Sequence, residues 1–330
     1  MVRIHKFSSR GTKRKAGEAG KAGATGRIVP ETTVPSVLGE ITTTDSASSA
    51  QIPDLYSTEG PTGMKVIADP PDAALDIIFV HGLTGNRDNT WAHGNGTFWP
   101  QQLADDIKIA RIMTYGYDAS VVKFWAKAGN NNLRNHGKNL AFAASDQRME
   151  CTERPIIFIA HSLGGLVCVQ ALLHCREGSE DDELGLDEVF RSTRQIIFMG
   201  TPLAGADLAK WVSMFAKALQ LVCQTNPAIV EALQPDSEVL NAVQQQFQQL
   251  LRKRGVNILI HCFFEEKAVR GVGVIVPDYS ATLAQYANQG IAADHINMVK
   301  FTGKNDEGYQ KVSKLVQRMI KKMISSSTSM

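Results

Sequence analysis

A serine in a setting suited to nucleophilic chemistry stands at position 162. An apolar run leads into Ala-His-Ser-Leu-Gly-Gly, and a helical pattern follows (residues 156–165, IIFIAHSLGG). This strand, turn and helix is the context of the nucleophile elbow, a sharp turn that holds its serine in a strained conformation. Small residues must lie two positions before and after the serine, and Ala160 and Gly164 meet that need, although glycine is more usual at the first position. The pattern predicts Ser162 as the nucleophile of an acyl-transfer reaction.

Two backbone N–H groups are placed to hold the negative charge of such a reaction. The helix after the elbow begins at Leu163, and the free N–H groups at its start point towards the serine. A second loop, residues 81–85 (HGLTG), follows an earlier apolar run. In folds with this elbow, one oxyanion donor follows the nucleophile and the other comes from such a loop. We therefore expect Leu83 and Leu163 to supply the oxyanion hole, with His81 organising the loop rather than acting in catalysis.

The general base is expected after the nucleophile in the chain. Proteins with this elbow carry serine, acid and histidine in that order, and His261 and His295 lie beyond the elbow helix. His261 falls inside an apolar strand pattern, which favours a packing role. His295 lies in the loop 293–297 (ADHIN), where a base could reach the serine hydroxyl. His295 is therefore the predicted base.

A carboxylate must fix the tautomer of that base. Glu265 and Glu266 end the strand that precedes the histidine loop. Side chains alternate along a strand, so only one of the two can face the site. Asp294 adjoins the base and is typical of a turn residue. Asp207 follows the earlier strand 195–200, and Asp278 lies between the strand 256–264 and the histidine loop. Glu265 is the predicted acid, with the other four as alternatives.

The elements that must position these residues follow from periodicity. Strands are predicted at 74–80, 111–115, 155–160, 195–200 and 256–264, and helices at 98–107, 133–149, 163–176 and 309–324. Near-continuous apolar strands separated by helices predict a mostly parallel sheet covered on both faces. Combined with the elbow, this α/β pattern predicts the α/β-hydrolase fold.

Composition divides the chain into three parts. Residues 1–70 are predicted to be a disordered, basic, low-complexity region, 71–325 the hydrolase domain, and 326–330 a disordered tail. The helical stretch 207–253 exceeds a simple crossover between strands and is a candidate cap or lid. Within it Trp211, Phe215 and Leu219 recur at helical spacing. This stripe favours packing on the core, and a lid face or membrane contact is the alternative.

Charge and cysteine content bear on the partners and the cellular compartment of the protein. The formal net charge of +2 is too small to predict a nucleic-acid partner. Five cysteines without a CxxC pair favour a reducing, intracellular setting over a disulfide framework. Residues 1–28 carry eight Lys or Arg against Glu18. That start fits a mitochondrial transit peptide, a nuclear signal at 13–15, or a solvated tail.

Several motifs in the same order resemble the SERAC-like (serine-active-site-containing) lipase family. They are FVHGLTGN (79–86), ARIMTYGYDA (110–119), PIIFIAHSLGGLV (155–167), IIFMGTP (196–202), FFEE (263–266) and DHINMVKF (294–301). The same region is similar to N-terminal serine esterase modules of fungal NACHT-type receptors. One departure follows GTP, where the family usually has His and a small polar residue and this chain has Leu203-Ala204-Gly205.

The resemblance implies a carboxylic-ester hydrolase acting on lipid or other acyl esters. It places the nucleophile at Ser162, the base at His295 and the acid at Glu265, with neither metal nor organic cofactor. It also implies peripheral contact with a mitochondrial or endoplasmic-reticulum membrane, with the cytosol as an alternative. Two other functions stay open: a non-catalytic recognition or signalling module on a hydrolase fold, and an acyl-protein thioesterase with the same triad.

Overall fold

The computed structural model describes residues 61–119, 129–177, 184–203, 211, 213–215, 217–218, 237–253 and 255–327. The strands are β1 (Gly63–Ala68), β2 (Leu75–Val80), β3 (Ala110–Gly116), β4 (Ile156–His161), β5 (Thr193–Met199), β6 (Leu259–Glu265) and β7 (Ala287–Ile291). The helices are α1 (Trp99–Asp106), α2 (Gly129–Asp146), α3 (Leu163–Glu177), α4 (Leu186–Ser192), α5 (Ser237–Arg252), α6 (Asp278–Ala281) and α7 (Glu307–Ser327). Within these ranges, no helix has both the length and the apolar content needed to cross a bilayer.

The strands form one sheet in the order β1-β3-β2-β4-β5-β6-β7. Strand β1 is antiparallel to β3, and every other neighbouring pair is parallel. The chain runs from β2 to β3 on one side and then to β4 on the other, so the strand order reverses between β2 and β4. Open parallel sheets bind ligands beyond the carboxyl ends of the strands at such a reversal.

Two hydrophobic cores lie on opposite faces of the sheet. Because side chains alternate along a strand, Ile78 and Val80 of β2 join one core, which also takes side chains from α2, α3, α4 and α5. Ile77 and Phe79 join the other core, with α1 and α7. A mostly parallel sheet covered on both faces, with an elbow after a central strand, is the α/β-hydrolase fold. The predicted fold class is therefore confirmed.

The buried carboxylate of Asp76 and three arginine side chains hold the amino-terminal end of the sheet. Asp76 at the start of β2 is fully buried and accepts hydrogen bonds from Nε and Nη2 of Arg111, at 2.8 and 3.0 Å. It also accepts from Arg148 and, at 3.3 Å, from Arg154. The carboxylate thus joins β2 to β3 and to the turn before β4, at the edge opposite the elbow.

The described residues differ from the predicted boundaries in three places. Strand β1 lies inside 1–70, which was predicted to be disordered, and that prediction is wrong for Gly63–Ala68. Helix α7 continues to Ser327, past the predicted boundary at 325. Within the proposed cap 207–253, helix α5 packs on α3, and Phe247 contacts Phe198 of the sheet edge to face, with ring centroids 6.2 Å apart. This carboxyl-terminal part of the stretch therefore covers the sheet. Residues 1–60 lie outside the described part.

Candidate active site

The turn after β4 has the backbone of a nucleophile elbow. Ser162 has a φ of 52°, a left-handed conformation that serine rarely adopts. Its N–H donates to the Met199 carbonyl at 2.9 Å, which keeps the turn in register with β5. A side chain at position 164 would strike the carbonyl oxygens of Val80 and His81, so only glycine allows α3 to start this close to β2. The sharp turn therefore depends on these close backbone contacts.

The structure brings together the three residues that the sequence singled out. Nε2 of His295 lies 3.0 Å from Oγ of Ser162, and its Nδ1 lies 2.6 Å from Oε2 of Glu265. Ser162 and His295 are fully buried, and Glu265 is 3% exposed. The three side chains come from the turns after β4 and β7 and from the end of β6, all at the carboxyl edge of the sheet.

Glu265 is held from its other side by the main chain. Its Oε1 accepts hydrogen bonds from the N–H of Ile275 and, at 3.2 Å, from the N–H of Val276. Oε2 is left to accept from Nδ1–H of His295. Nε2 of the imidazole then keeps its lone pair for the Ser162 hydroxyl, the tautomer that a general base needs.

The alternative carboxylates do not reach the imidazole. Glu266 is exposed, and its side chain lies beside Gly290. Asp294 accepts hydrogen bonds from main-chain N–H groups of its own turn at 3.0 Å, as expected of a turn residue. Asp278 is exposed at the start of α6. Asp207 lies outside the described residues.

The two predicted oxyanion donors flank the serine. Leu163 opens α3, and Leu83 follows Gly82 in the loop after β2. Among the described residues, neither N–H has a hydrogen-bond partner in the protein. A Cβ on Gly82 would lie 2.8 Å from Cβ of Ser162 and 3.0 Å from the carbonyl oxygen of His161. The absent side chain at position 82 therefore lets this loop touch the elbow.

His81 fixes that loop in a defined tautomer. Its Nε2 accepts from the N–H of Tyr117 at 3.2 Å, so its Nδ1–H donates to the Gly82 carbonyl at 2.9 Å. The two rings are stacked with centroids 4.4 Å apart, and the Tyr117 hydroxyl donates to the His81 carbonyl at 2.9 Å. Complete burial lowers the pKa of His81 to about 4, so the ring is neutral near neutral pH. His81 lies in the loop framework, as the sequence indicated.

One aromatic side chain of the cap stretch lies beside the base, and a second lies against the first. Phe215 is buried, and its ring meets that of His295 edge to face with centroids 5.9 Å apart. Trp211 is also buried, with its ring 6.0 Å from that of Phe215. The stripe thus packs on the core and over the histidine, while Leu219 lies outside the described residues.

Two features of the site were not predicted from the sequence. One is the pair of main-chain N–H groups that hold Glu265, which no side-chain pattern could have indicated. The other is His161, whose Nε2 lies 2.9 Å from the main-chain oxygen of His295. Its position directly before Ser162 was the available signal. In the part of the chain described, no group of three or more His, Cys, Asp or Glu is arranged to hold a metal ion.

Known proteins similar to this chain include the SERAC1 proteins. Protein SERAC1 of Danio rerio is 27% identical over 270 residues, which cover 73% of this chain and 38% of that protein. The Homo sapiens protein is 24% identical over 285 residues, covering 75% and 39%. The chain thus spans well under half the length of these relatives. No protein-family model matches it.

Solved structures similar to the chain include the mature form of Bacillus licheniformis lipase BlEst2. It is 18% identical, with a TM-score of 0.46, and the match covers 73% of this chain and 94% of that one. The similarity to fungal NACHT-type modules stays a prediction. The chain is therefore similar in sequence to the SERAC1 proteins, and its sheet topology is that of the α/β-hydrolase fold.

Proposed function

We propose that this chain is a serine hydrolase that cleaves carboxylic esters through an acyl-enzyme on Ser162. The observation that carries the proposal is the continuous hydrogen-bonded chain from Ser162 through His295 to Glu265, with spacings of 3.0 and 2.6 Å. A nucleophile, its base and a group that orients the base, all within hydrogen-bond distance, form the arrangement that activates a serine hydroxyl.

The reaction follows from the placement of each group. His295 takes the Ser162 proton at Nε2 while Oγ attacks the ester carbonyl carbon. The N–H groups of Leu83 and Leu163 stabilise the resulting oxyanion, each by about 3–4 kcal/mol. The Glu265 carboxylate stabilises the His295 cation, which then gives its proton to the departing alkoxide oxygen. Water, activated by the same histidine, attacks the acyl-enzyme and restores the free serine.

Lipid esters are the proposed substrates, and the chain is proposed to act in peripheral contact with a membrane. The family resemblance supports both, and the apolar ring of Phe215 beside the base, with Trp211 packed on it, is compatible with an acyl chain. We place the membrane at the mitochondrion or endoplasmic reticulum on the resemblance alone. Cofractionation of the tagged chain with organelle markers tests this location, and a purely cytosolic distribution would contradict it.

Hydrolysis of soluble p-nitrophenyl esters tests the chemistry. The wild type should release product, and Ser162→Ala should reduce kcat by at least about 10³-fold, because the attacking oxygen is lost while the fold stays. Equal turnover by the two proteins would refute Ser162 as the nucleophile.

Substrate class needs a separate comparison. An acyl-protein thioesterase would use the same three residues, so only relative rates separate it from a lipase. We expect kcat/KM on phospholipid vesicles to exceed that on S-acylated peptides, with Ser162→Ala as the background control for each. Faster cleavage of the peptides would replace the lipid proposal. Binding of either substrate without cleavage would favour a recognition module.

A further inference from the structure

His161 joins the strand that carries the nucleophile to the loop that carries the base. It is the last residue of β4, directly before Ser162, and its side chain is buried. Its Nε2 lies 2.9 Å from the main-chain oxygen of His295, although 134 positions separate the two residues in sequence. A carbonyl oxygen can only accept a hydrogen bond, so His161 donates through Nε2–H.

Adjacent residues therefore hold the base at two points. Ser162 contacts the imidazole of His295, and His161 contacts its carbonyl. His295 lies after β7 in a loop that is neither helix nor strand. The regular hydrogen bonds of such elements do not hold its main chain, so other contacts must fix its position. One such anchor is the indole N–H of Trp99, which donates to the Val299 carbonyl at 2.8 Å further along the loop.

We propose that His161 is a positioning residue that sets the distance and angle between His295 and Ser162 by holding the His295 carbonyl. This proposal rests on the proposed hydrolase function. The bond from Glu265 fixes the rotation of the imidazole ring but does not fix the main chain from which the ring projects. Because acyl transfer is sensitive to shifts of about 1 Å in the reacting groups, a second tether at the main chain contributes to the rate.

The neutral state of His161 suits this task. Burial is the main cause that holds its pKa well below the ordinary value, and the facing groups His295, Lys300 and His81 add to the effect. The rings of His161 and His295 have centroids 5.0 Å apart. A protonated His161 would repel the imidazolium that His295 becomes during acylation. A neutral N–H donor can hold the carbonyl without that repulsion, which lysine or arginine could not do.

Three variants separate positioning from general structural support. His161→Phe keeps a ring and loses the donor, and His161→Gln keeps an N–H donor. His261→Phe is the matched control, because His261 is another buried strand histidine and, within the described part, its Nε2 has no hydrogen-bond partner. On a soluble short-chain ester, His161→Phe should lower kcat about 10- to 100-fold with KM unchanged. His161→Gln should recover most of the loss, and His261→Phe should leave kcat unchanged.

Imidazole NMR gives a readout that does not depend on turnover. In a Ser162→Ala background, His161→Phe should shift and broaden the His295 ring signals, and His161→Gln should preserve them. Wild-type kcat and an unchanged His295 spectrum in His161→Phe would overturn the proposal. So would equal losses of kcat in the Phe and Gln variants with both folded. Failure of the wild type to turn over any ester would instead refute the proposed function, while the NMR comparison would still decide the tether.

Discussion

At the scale of single residues, the site is governed by which nitrogen of His295 carries the proton. Oε1 of Glu265 accepts hydrogen bonds from two main-chain N–H groups, and Oε2 accepts from Nδ1 of His295. The imidazole must then donate from Nδ1 and accept at Nε2. The loop that carries Ile275 and Val276 therefore acts on the base through the carboxylate.

Replacing Glu265 with glutamine should invert this arrangement. The glutamine oxygen will stay with the N–H groups of Ile275 and Val276, and its amide N–H will face Nδ1 of His295. The base must then carry its proton on Nε2, where it cannot accept from Ser162. We expect kcat to fall by about 10⁴-fold with little change in folding.

The exposed neighbour supplies the control for that change. Glu266→Gln alters the same side-chain type one residue later, away from the imidazole. It should keep kcat within about twofold of wild type, as exposed substitutions usually do. Comparable losses in the two variants, measured by steady-state ester hydrolysis, would rule out a specific role for Glu265.

Gly82 gives a second prediction at this scale. A methyl group there would overlap Cβ of Ser162, so Gly82→Ala must push the loop, and with it the Leu83 N–H, away from the elbow. Loss of one oxyanion donor lowers kcat by about 10²–10³-fold. Gly94→Ala is the control, because nothing lies within 4 Å of its Cβ position. Equal kcat values for the two variants would show that the loop accommodates a methyl group at position 82 without displacing the Leu83 N–H.

The three central side chains could be predicted because each leaves a mark in the sequence. Ser162 lies in a constrained turn, His295 is the loop histidine beyond the elbow, and Glu265 ends a strand. The choice between Glu265 and Glu266 could not be made firmly, because strand alternation excludes one of them without saying which. The tether from His161 depends on where a distant loop passes, which local sequence does not encode.

At the scale of elements, the central strands were predictable and the edge strands were not. Strands β2 and β4 are buried along their whole length and are near-continuous apolar runs, interrupted only by Asp76 in β2 and ended by His161 in β4. In β7 the first three residues are exposed, and in β1 every residue is exposed or half-buried. An edge strand packs on fewer neighbours, so its sequence carries little hydrophobic signal. Because β1 has this weak hydrophobic signal, the predicted disordered region 1–70 wrongly includes it.

Asp76 at the start of β2 should be a sensitive position for stability. It pairs with three guanidinium groups, of which Arg111 and Arg148 are themselves buried. Asp76→Asn would leave those charges without their carboxylate, and removing one partner of a buried ionic group costs about 3–5 kcal/mol. Urea denaturation should reveal this loss of unfolding free energy.

An exposed ion pair provides the comparison. Glu307 pairs with Lys311 at 2.9 Å, and its side chain is 73% exposed. Glu307→Gln should cost less than about 1 kcal/mol, because solvent screens such pairs. If Asp76→Asn proves no more costly than Glu307→Gln, the buried cluster does not stabilise the sheet in the way described.

At the scale of the whole molecule, stability should depend on pH through His81. Burial lowers its pKa from 6.5 to about 4, so between these values the unfolded chain binds more protons than the folded one. The stabilising contribution is complete above pH 6.5 and is lost as pH falls towards about 4. At about 1.4 kcal/mol per pKa unit, the loss approaches 3 kcal/mol, and burial of His161 acts in the same direction.

Urea unfolding across this pH range checks the assignment. The free energy of unfolding of the wild type should fall more steeply between pH 6.5 and 4 than that of His81→Phe, whatever the stability of the variant at neutral pH. Parallel pH profiles for the two proteins would mean that His81 does not contribute this dependence.

The most direct test of the central claim is covalent labelling with a small fluorophosphonate, followed by mass spectrometry of the modified peptide. The wild type should gain one adduct on Ser162, and both Ser162→Ala and His295→Ala should lose it. Detergent micelles should be tested alongside, because Ser162 is fully buried. A folded wild type that gains no adduct under either condition, or gains it at another serine, would contradict the account.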